Sequence, residues 1–313
     1  MTPAPQPDAA PATDFPTRPV RILITFSAGS GPDTAVRLVA GALQRLWGQP
    51  VAVESRPGGN GFLAIDAFKR GATDGHDLLQ LDSGHLLAYP HLFKKMPYDP
   101  QQDFEHIVPL FRTYVFFAVA ANSPYATLGE LIADARAHPG KLKYGSWSIG
   151  NPVHLGSALF ESATGCEMHH AVCADMSHLY SEVAAGRLTF ALGSAGSAGP
   201  LQRAGKLRFL AVTAPQRHPA FPNVPTVAEA GGPADFEVTS WTLIIAPKGL
   251  PGALVEQLRR DFGQALADPG VEAGYADLGY ERFLLTPAQF AQFVQAESSR
   301  FAEVIHKSKA SLD

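Results

Sequence analysis

The stretch RILITFSAGSGPDTAVRLVA (residues 21–40) changes character twice along its length. Its start belongs to VRILITF (20–26), a continuous apolar run rich in β-branched residues, which predicts a strand buried in a parallel sheet. Small residues then break the run, and apolar side chains recur at helical spacing from Val36 to Trp47. Gly48 is placed to end this helix, because glycine readily adopts the left-handed conformation of a helix C-terminus. The stretch therefore predicts a strand, a tight turn and a helix.

Two further segments repeat this plan. VAVESRPGGNGFLAIDAFKRG (51–71) predicts a strand, a glycine-rich loop and a helix, and DLLQLDSGHLL (77–87) predicts a strand that runs into a polar turn. Alternating strands and helices predict an α/β fold with parallel strands, in which ligands bind at the carboxyl ends of the strands. The polar loops after residues 26, 54 and 81 should therefore share one edge of the sheet.

The length of the chain, 313 residues, is more than one hydrophobic core usually serves, so two domains are expected. A second α/β set begins near VPLFRTYVFFAVAANS (108–123), and helices predominate after FEVTSWTLIIAP (236–247). We expect one domain from residues 19–108 plus 241–313 and a second from 109–240. The two crossings between them would form a hinge. The Pro- and Ala-rich residues 1–18 are expected to be a disordered tail.

Composition argues against several classes of function. The 25 basic and 29 acidic residues give a net charge of -4 without a long basic run, unlike a nucleic-acid-binding protein. No run reaches the roughly 20 apolar residues of a membrane helix, so no membrane insertion is expected. Cys166 and Cys173 have neither CxxC nor zinc-finger spacing, and we expect free, partly buried thiols.

Enzyme signatures are limited to one partial motif. HExxH, GxSxG, GxxxxGK[ST] and CxxC do not occur in the sequence. Gly29 and Gly31 follow a strand, and Glu54 lies about where a ribose-binding acid would, but the third glycine position of a dinucleotide fingerprint is Thr34. An NAD(P)-binding enzyme that uses the turn at 26–34 is therefore an alternative; the preferred interpretation has no cofactor.

The same turn is a candidate anion site. Its glycines let backbone amides converge, Ser27 and Ser30 add hydroxyl donors, and the following helix presents free amides and the positive end of its dipole. A carboxylate would suit these donors. The alternative is a tight turn with ordinary capping by Asp33, and the local sequence does not decide between the two.

Metal binding and hydrolysis are weaker interpretations than ligand binding. HHAVC (169–173) lies near His154, His178 and Asp175, but adjacent histidines on a strand point to opposite faces, so a three-ligand site would need several separate contacts. Ser148 and His154 could act as a nucleophile and a base, but no acid is spaced to orient the histidine. We therefore predict binding, with no metal.

Seven segments occur in an order that is typical of one protein family. They are PVRILITFSAGSGPDTAVRLVA (19–40), GQPVAVESRPGGNG (48–61), DGHDLL (74–79), KKMPYDPQQDF (94–104), HPGKLKYGS (138–146), AGKLRFLAVT (204–213) and FPNVPTVAEAG (221–231). Through these segments the chain resembles, from about Phe15 to Asp313, the extracytoplasmic solute receptors of tripartite tricarboxylate transporters, the Bug family.

The resemblance implies an α/β, two-domain type II periplasmic-binding-protein fold with a hinge and a central ligand cleft, and no catalysis. It implies that cleft loops hold a ligand carboxylate through backbone amides, small hydroxyls and ordered water. The implied partners are a small carboxylate ligand and membrane transporter subunits. The implied location is the periplasm, with a signal peptide already removed, because the first 20 residues lack signal-peptide features. A receptor that acts as a sensor and binds another protein is an alternative.

Position by position, the resemblance places binding residues on two rims of the cleft. The first-domain rim comprises Phe26, Ser27, Ala28, Gly29, Ser30, Gly31, Asp33, Ser83, Gly84 and His85. The second-domain rim comprises Ser146, Trp147, Ser148, Ile149, Asn151, His154, Cys173, Asp175, Gly193, Ser194 and Ser197.

The second rim departs from the family pattern. AVCADMS (171–177) stands where relatives commonly continue with Pro, Tyr, Lys or Arg and Gly, and ALGSAGSAG (191–199) stands where an Asp-Asn pair is usual. If Asp175 faces the cleft, it should repel a second carboxylate and favour an ammonium or hydroxyl group; the alternative is that it points to solvent. Candidate stacking surfaces for a bulkier or aromatic ligand are Phe26, Trp147 and Trp241.

Overall fold

The computed structural model describes residues 14–308, in which strands and helices alternate. The strands are β1 (Val20–Ile24), β2 (Val51–Ser55), β3 (Asp77–Asp82), β4 (Phe104–Tyr114), β5 (Phe116–Ala120), β6 (Lys143–Ser146), β7 (His169–Val172), β8 (Ala191–Gly193), β9 (Leu207–Val212), β10 (Thr239–Pro247) and β11 (Glu281–Arg282). The helices are α1 (Gly31–Trp47), α2 (Phe62–Lys69), α3 (Ser83–Leu87), α4 (Tyr89–Leu92), α5 (Leu128–Ala137), α6 (Pro152–Thr164), α7 (Met176–Ala184), α8 (Gly199–Arg203), α9 (Gly252–Leu266), α10 (Pro269–Leu278) and α11 (Pro287–Ser308).

The first domain is built on a six-stranded sheet with the strand order β11-β4-β10-β3-β1-β2. β1 lies parallel to both β2 and β3, which confirms the predicted parallel arrangement of the first three strands. β10 is antiparallel to β3 and to β4. α1 packs its apolar side, with Val36, Val39 and Leu43, against a core that includes Ile22 of β1. Gly48 ends α1 in the left-handed conformation at φ 65°, as predicted.

Trp241 belongs to the core of this domain. It is 1% exposed, in a cluster that also contains Phe283 and Phe290 and against which Phe293 packs. The prediction that Trp241 offers a stacking surface to a ligand is therefore wrong. The reason is that β10 lies inside the sheet, between β3 and β4, where neighbouring strands and the helices cover its side chains.

The second domain contains an antiparallel sheet in the order β8-β5-β9 and a parallel pair formed by β6 and β7. A bridge between Tyr144 and Phe190 connects the pair to the sheet. The core is aromatic, with Phe117 4.6 Å from Phe160 and 5.5 Å from Phe190 between ring centroids. Because β6 and β7 run parallel, the loops that follow them emerge at one edge.

The chain crosses between the domains at two adjacent places. β4 stays in the first sheet up to Tyr114, beyond the expected boundary at residue 108, and β10 rejoins that sheet at Thr239, close to the expected boundary at 240. Thr213 links the crossings, because its Oγ1 lies 3.0 Å from the carbonyl oxygen of Val115 and 2.7 Å from that of Val238. Both connections therefore converge on one buried side chain.

The expected N-terminal tail at 1–18 falls mostly outside the described residues, which start at 14. Within the described part, the ring of Phe15 packs edge-on against Trp47, with 5.6 Å between centroids. The carbonyl oxygen of Phe15 also accepts a hydrogen bond from the side chain of Gln257. From Phe15 onward the prediction of a disordered tail is therefore wrong, because this aromatic side chain completes the core beside α1.

Candidate ligand-binding cleft

A cleft lies between the two domains, where the carboxyl ends of five strands meet. Loops after β1, β2 and β3 form one wall, and loops after β6 and β7 form the other. The lining residues are Thr25, Phe26, Ser27, Pro57, Gly58, Asn60, Gly61, Asp82, His85, Tyr89, Trp147, Ser148, Ala174, Asp175 and Met176. The free volume is only about 30 Å³, room for roughly two water molecules. The two walls are therefore closed on each other, and the three first-domain loops share one edge as predicted.

The turn after β1 is held together by its own side chains. Ser30 caps α1, since its Oγ lies 3.4 Å from the backbone nitrogen of Asp33. Asp33 is 2% exposed, and its Oδ2 accepts a hydrogen bond of 2.8 Å from the amide of Gly29. Arg37 forms an ion pair with the same carboxylate at 2.9 Å. The cap is thus Ser30 rather than Asp33, and Asp33 already takes up one of the amides that an anion would need.

Only the first part of this turn lines the cleft. Phe26 and Ser27 do so, whereas residues 28–31 and Asp33 are not among the lining residues. Thr25, which sequence reasoning missed because threonine suits a strand, also lines the cleft, and its buried Oγ1 has no hydrogen-bond partner among the described residues. Among the described residues, the amide of Ser27 donates no hydrogen bond either. These are the donors left for a ligand.

Asp82 and His85, which follow β3, form a buried pair in the same wall. Asp82 Oδ1 lies 2.8 Å from His85 Nδ1 and accepts from the His85 amide at 3.3 Å. The other ring nitrogen, Nε2, lies 3.1 Å from the carbonyl oxygen of Asn60. His85 thus lines the cleft as expected, and Asp82 joins it as the cap of α3, a role that a reading of single motifs overlooked.

Ser83 and Gly84 lie beside the cleft rather than on its surface. Ser83 is 1% exposed, and its Oγ has no partner in the described structure. Gly84 faces the second domain: a Cβ placed on it would lie 2.6 Å from the carbonyl oxygen of Gly150 and 3.3 Å from the Cα of Asn151. The two walls therefore touch here through backbone atoms.

The loop after β6 supplies Trp147 and Ser148 to the opposite wall. Ser148 Oγ lies 3.3 Å from the hydroxyl of Tyr89, a contact that joins the two domains. Burial raises the pKa of Tyr89 well above its usual value, so this hydroxyl stays protonated. Asn151 supports the loop and is not among the lining residues. It caps α6 through the amides of residues 153 and 154 and donates from Nδ2 to the Ser148 carbonyl oxygen at 2.9 Å.

Ser146 and His154 support this loop and do not reach the cleft surface. His154 Nδ1 accepts from the Gly150 amide at 3.0 Å, and its ring stacks on His170 with 4.1 Å between centroids. Ser146 Oγ lies 2.8 Å from His170 Nε2. Burial lowers the pKa of His154 to about 3 and that of His170 to about 4, so both are neutral near pH 7. His154 is a structural acceptor here, which argues against a nucleophile–base pair with Ser148.

Asp175 is half-buried and lines the cleft between Ala174 and Met176. Its Oδ1 accepts a 2.8 Å hydrogen bond from the amide of His178, which makes it the N-cap of α7. Cys173 is 7% exposed and packs into the core behind the loop. The half-buried Ile149 is not among the lining residues. Asp175 is therefore a half-buried member of the cleft lining whose Oδ1 is engaged by the start of α7.

Gly193, Ser194 and Ser197, which were predicted to bind the ligand, are not among the lining residues, because this stretch folds against two tyrosines. The hydroxyls of Ser194 and Ser197 lie 3.0 Å apart, and they lie 3.4 Å from Tyr280 and 3.2 Å from Tyr180, respectively. A Cβ on Gly193 would meet the hydroxyl of Tyr180 at 2.7 Å. The stretch seals the contact between the domains beside the cleft.

Comparison with known proteins identifies the family. The profile described as "Tripartite tricarboxylate transporter family receptor" matches residues 35–309. The chain belongs to this receptor family. Protein BugT of Bordetella pertussis is 30% identical over 309 residues, which cover 97% of this chain and 94% of BugT. The resemblance to the Bug family is thereby confirmed.

Two solved structures resemble the receptor in fold. R. palustris Rpa4515 with adipate is 28% identical, with a TM-score of 0.89 over 95% of this chain and 99% of that one. MatC from Rhodopseudomonas palustris with bound malate is also 28% identical, with a TM-score of 0.85 over 93% of this chain and 100% of that one. These matches confirm the two-domain periplasmic-binding-protein fold with a central cleft.

Receptors of this family bind solutes and are not enzymes. Among the described residues, no helix combines the length and apolar character needed to cross a membrane. The same residues contain no group of three His, Cys, Asp or Glu side chains that could share a metal ion. The family match makes this chain a solute-binding receptor of the tripartite tricarboxylate transporter type.

Proposed function

We propose that the receptor captures a small organic acid in the periplasm, in the cleft lined by Thr25, Ser27 and Ser148, and delivers it to transporter subunits in the membrane. The observation that carries this proposal is the buried, unpartnered Oγ1 of Thr25 at the meeting point of five strand ends. A buried polar atom without a partner costs free energy, and a ligand oxygen would satisfy it. The relatives with adipate and malate support a carboxylate as that ligand.

The donors available to a carboxylate are neutral. They are the hydroxyls of Thr25 and Ser27 and the free amide of Ser27. A carboxylate accepts several hydrogen bonds at once, and bonds to an ionised acceptor are about twice as strong as those between neutral groups. A small group of such donors can therefore hold one carboxylate without an arginine or lysine.

The domains must separate for a ligand to enter, because the free volume of about 30 Å³ is smaller than any organic acid of this class. Thr213 joins the two crossings, so separation is expected to occur about this point. A ligand that contacts both walls stabilises the closed arrangement by its differential affinity for that state.

The proposal is tested by thermal shift and calorimetric titration of the wild-type protein with a panel of small organic acids. At least one acid should raise the melting temperature, because binding to the native state alone stabilises it. Thr25→Val, which replaces the hydroxyl by a methyl group, should weaken binding by about tenfold or more.

Thr34→Val serves as the matched control, since Thr34 is exposed on α1 and lies outside the cleft lining. It should bind like the wild type. If no acid in the panel shifts the melting temperature, or if NAD or NADP binds with micromolar affinity, the proposal is contradicted.

A further inference from the structure

The cleft lining, as the structure describes it, contains two aspartates and no lysine or arginine, although the proposed ligand is an anion. Of the described residues that line it, none is a lysine or an arginine, and the titratable ones besides Tyr89 are Asp82, His85 and Asp175. A ligand with two carboxylates would bring two negative charges into this closed space. The described lining offers no lysine or arginine to pair with the second carboxylate.

Asp82 is already engaged within the wall. Its Oδ1 contacts both the ring and the amide of His85, and the far ring nitrogen of His85 is engaged by the Asn60 carbonyl oxygen. Both residues are almost fully buried, at 3% and 2% exposed. Oδ1 of Asp82 and both ring nitrogens of His85 are therefore already engaged by groups of the wall itself.

Asp175 is different, because no cation pairs with it. Its single described hydrogen bond comes from the amide of His178 to Oδ1, and the imidazole of His178 places Nε2 3.3 Å from Glu182 Oε1 instead. The carboxylate lies on the second-domain wall, opposite the donors of the first domain. The aromatic side chains of Phe26, Tyr89 and Trp147 line the same cleft, and ring faces attract cations.

We propose that the ligand carries one carboxylate and, at its other end, a cationic hydrogen-bond donor such as an ammonium group, and that Asp175 selects it. This inference rests on the proposed function. The carboxylate would meet the hydroxyls and the free amide of the first domain, and the ammonium would pair with Asp175. A second carboxylate would instead be repelled by Asp175 in a space with little water.

Asp175→Asn isolates the charge from the fold. Asparagine is as good an N-cap as aspartate, so its oxygen can still accept from the His178 amide. Asp268→Asn is the matched control: Asp268 caps α10 in the same way, through the amide of Gly270 at 2.9 Å, and is not part of the cleft lining.

The test compares acids that differ only at the far end, in two lengths, by isothermal titration of the full chain. The six-carbon probes are adipate, 6-aminohexanoate and hexanoate, and the four-carbon probes are succinate, 4-aminobutanoate and butanoate. In at least one series the wild type and Asp268→Asn should bind the amino acid about tenfold or more tightly than the diacid, with the plain acid between them. Asp175→Asn should remove this preference and bind the diacid more tightly than the wild type does.

Two other outcomes would contradict either the inference about Asp175 or the proposed function. If the diacid binds the wild type more tightly than the amino acid, or if Asp175→Asn leaves the order unchanged, the inference is wrong while carboxylate capture stands. If hexanoate, butanoate and all four substituted acids fail to bind and no other acid of the panel shifts the melting temperature, the proposed function is refuted, and the inference fails with it.

Discussion

The contact between Gly84 and the second domain provides a direct test of cleft closure. Gly84 lies in α3 of the first domain, and a Cβ at this position would approach the Gly150 carbonyl oxygen to 2.6 Å, although ordinary contact starts at 3.4 Å. The obstacle is backbone, which cannot rotate away as a side chain can. Gly84→Ala should therefore hold the two walls roughly 0.8 Å further apart, enough to lose a quarter to half of the dispersion energy of the contacts there.

The cost of this change falls on the closed state. Overpacking by one methyl group typically costs about 1–3 kcal/mol, which corresponds to about a 5- to 150-fold weaker affinity for a ligand that needs closure. Gly84 is helical and lies outside the left-handed region, so alanine suits its backbone and even improves helix propensity. Within the first domain the added Cβ would lie 3.0 Å from Asp82 Oδ1, so the melting temperature of the ligand-free protein should fall only slightly.

The assay is calorimetric titration with the tightest acid of the panel, combined with small-angle scattering of the liganded protein. Gly84→Ala should bind more weakly and give a larger radius of gyration at saturation than the wild type. Gly263→Ala is the control, because Gly263 also lies in a helix but has no atom near the added Cβ. Wild-type affinity and scattering in Gly84→Ala would refute the closure contact.

Three further predictions concern the walls and their support. Asp33→Ala removes the acceptor that closes the first turn and should lower the free energy of unfolding by about 1–2 kcal/mol in urea titrations; an unchanged value would show that the turn is stable without it. Tyr89→Phe removes the hydroxyl that contacts Ser148 across the cleft, so titration should show a Kd increased by about two- to tenfold, and an unchanged Kd would assign the contact no role in binding. Burial lowers the pKa of His154 and His170 from 6.5 to about 3 and about 4. As the pH falls from 6.5 to about 4, these two side chains therefore gain protons mainly in the unfolded chain. Stability should then be fully present above pH 6.5 and fall by about 1.4 kcal/mol per pH unit for each histidine, and urea titrations of His170→Asn should show a shallower pH slope than the wild type.

The strand ends that form the cleft could be predicted from the sequence. Phe26, His85 and Trp147 follow apolar runs that alternate with helices, and parallel strands bring their carboxyl ends to one edge. This rule needs only periodicity and the order of the elements. It therefore locates the loops of the cleft without any knowledge of how the domains close.

The individual side chains within those loops could not be predicted in the same way. Asp33 and Asn151 are polar residues of the expected loops, yet both turn back to bond amides of their own segments. Thr25 belongs to an apolar run and reaches the cleft, and Tyr89 reaches it from a helix that begins after the predicted rim. These differences depend on local hydrogen bonds and on contacts between domains, neither of which leaves a periodic pattern.

The three acids at the strand ends show why the cleft can accept an anion at all. Asp33 is paired with Arg37, Asp82 is paired with His85, and both also accept backbone amides. Both carboxylates are thus engaged by groups of the protein before a ligand arrives, and the neutral donors beside them can face a carboxylate. Asp175 alone is left with an amide and the N-terminus of α7, which offset a carboxylate only in part. The remaining compensation must come from outside the protein, and a ligand with a cationic end would supply it in the same step that fills the cleft.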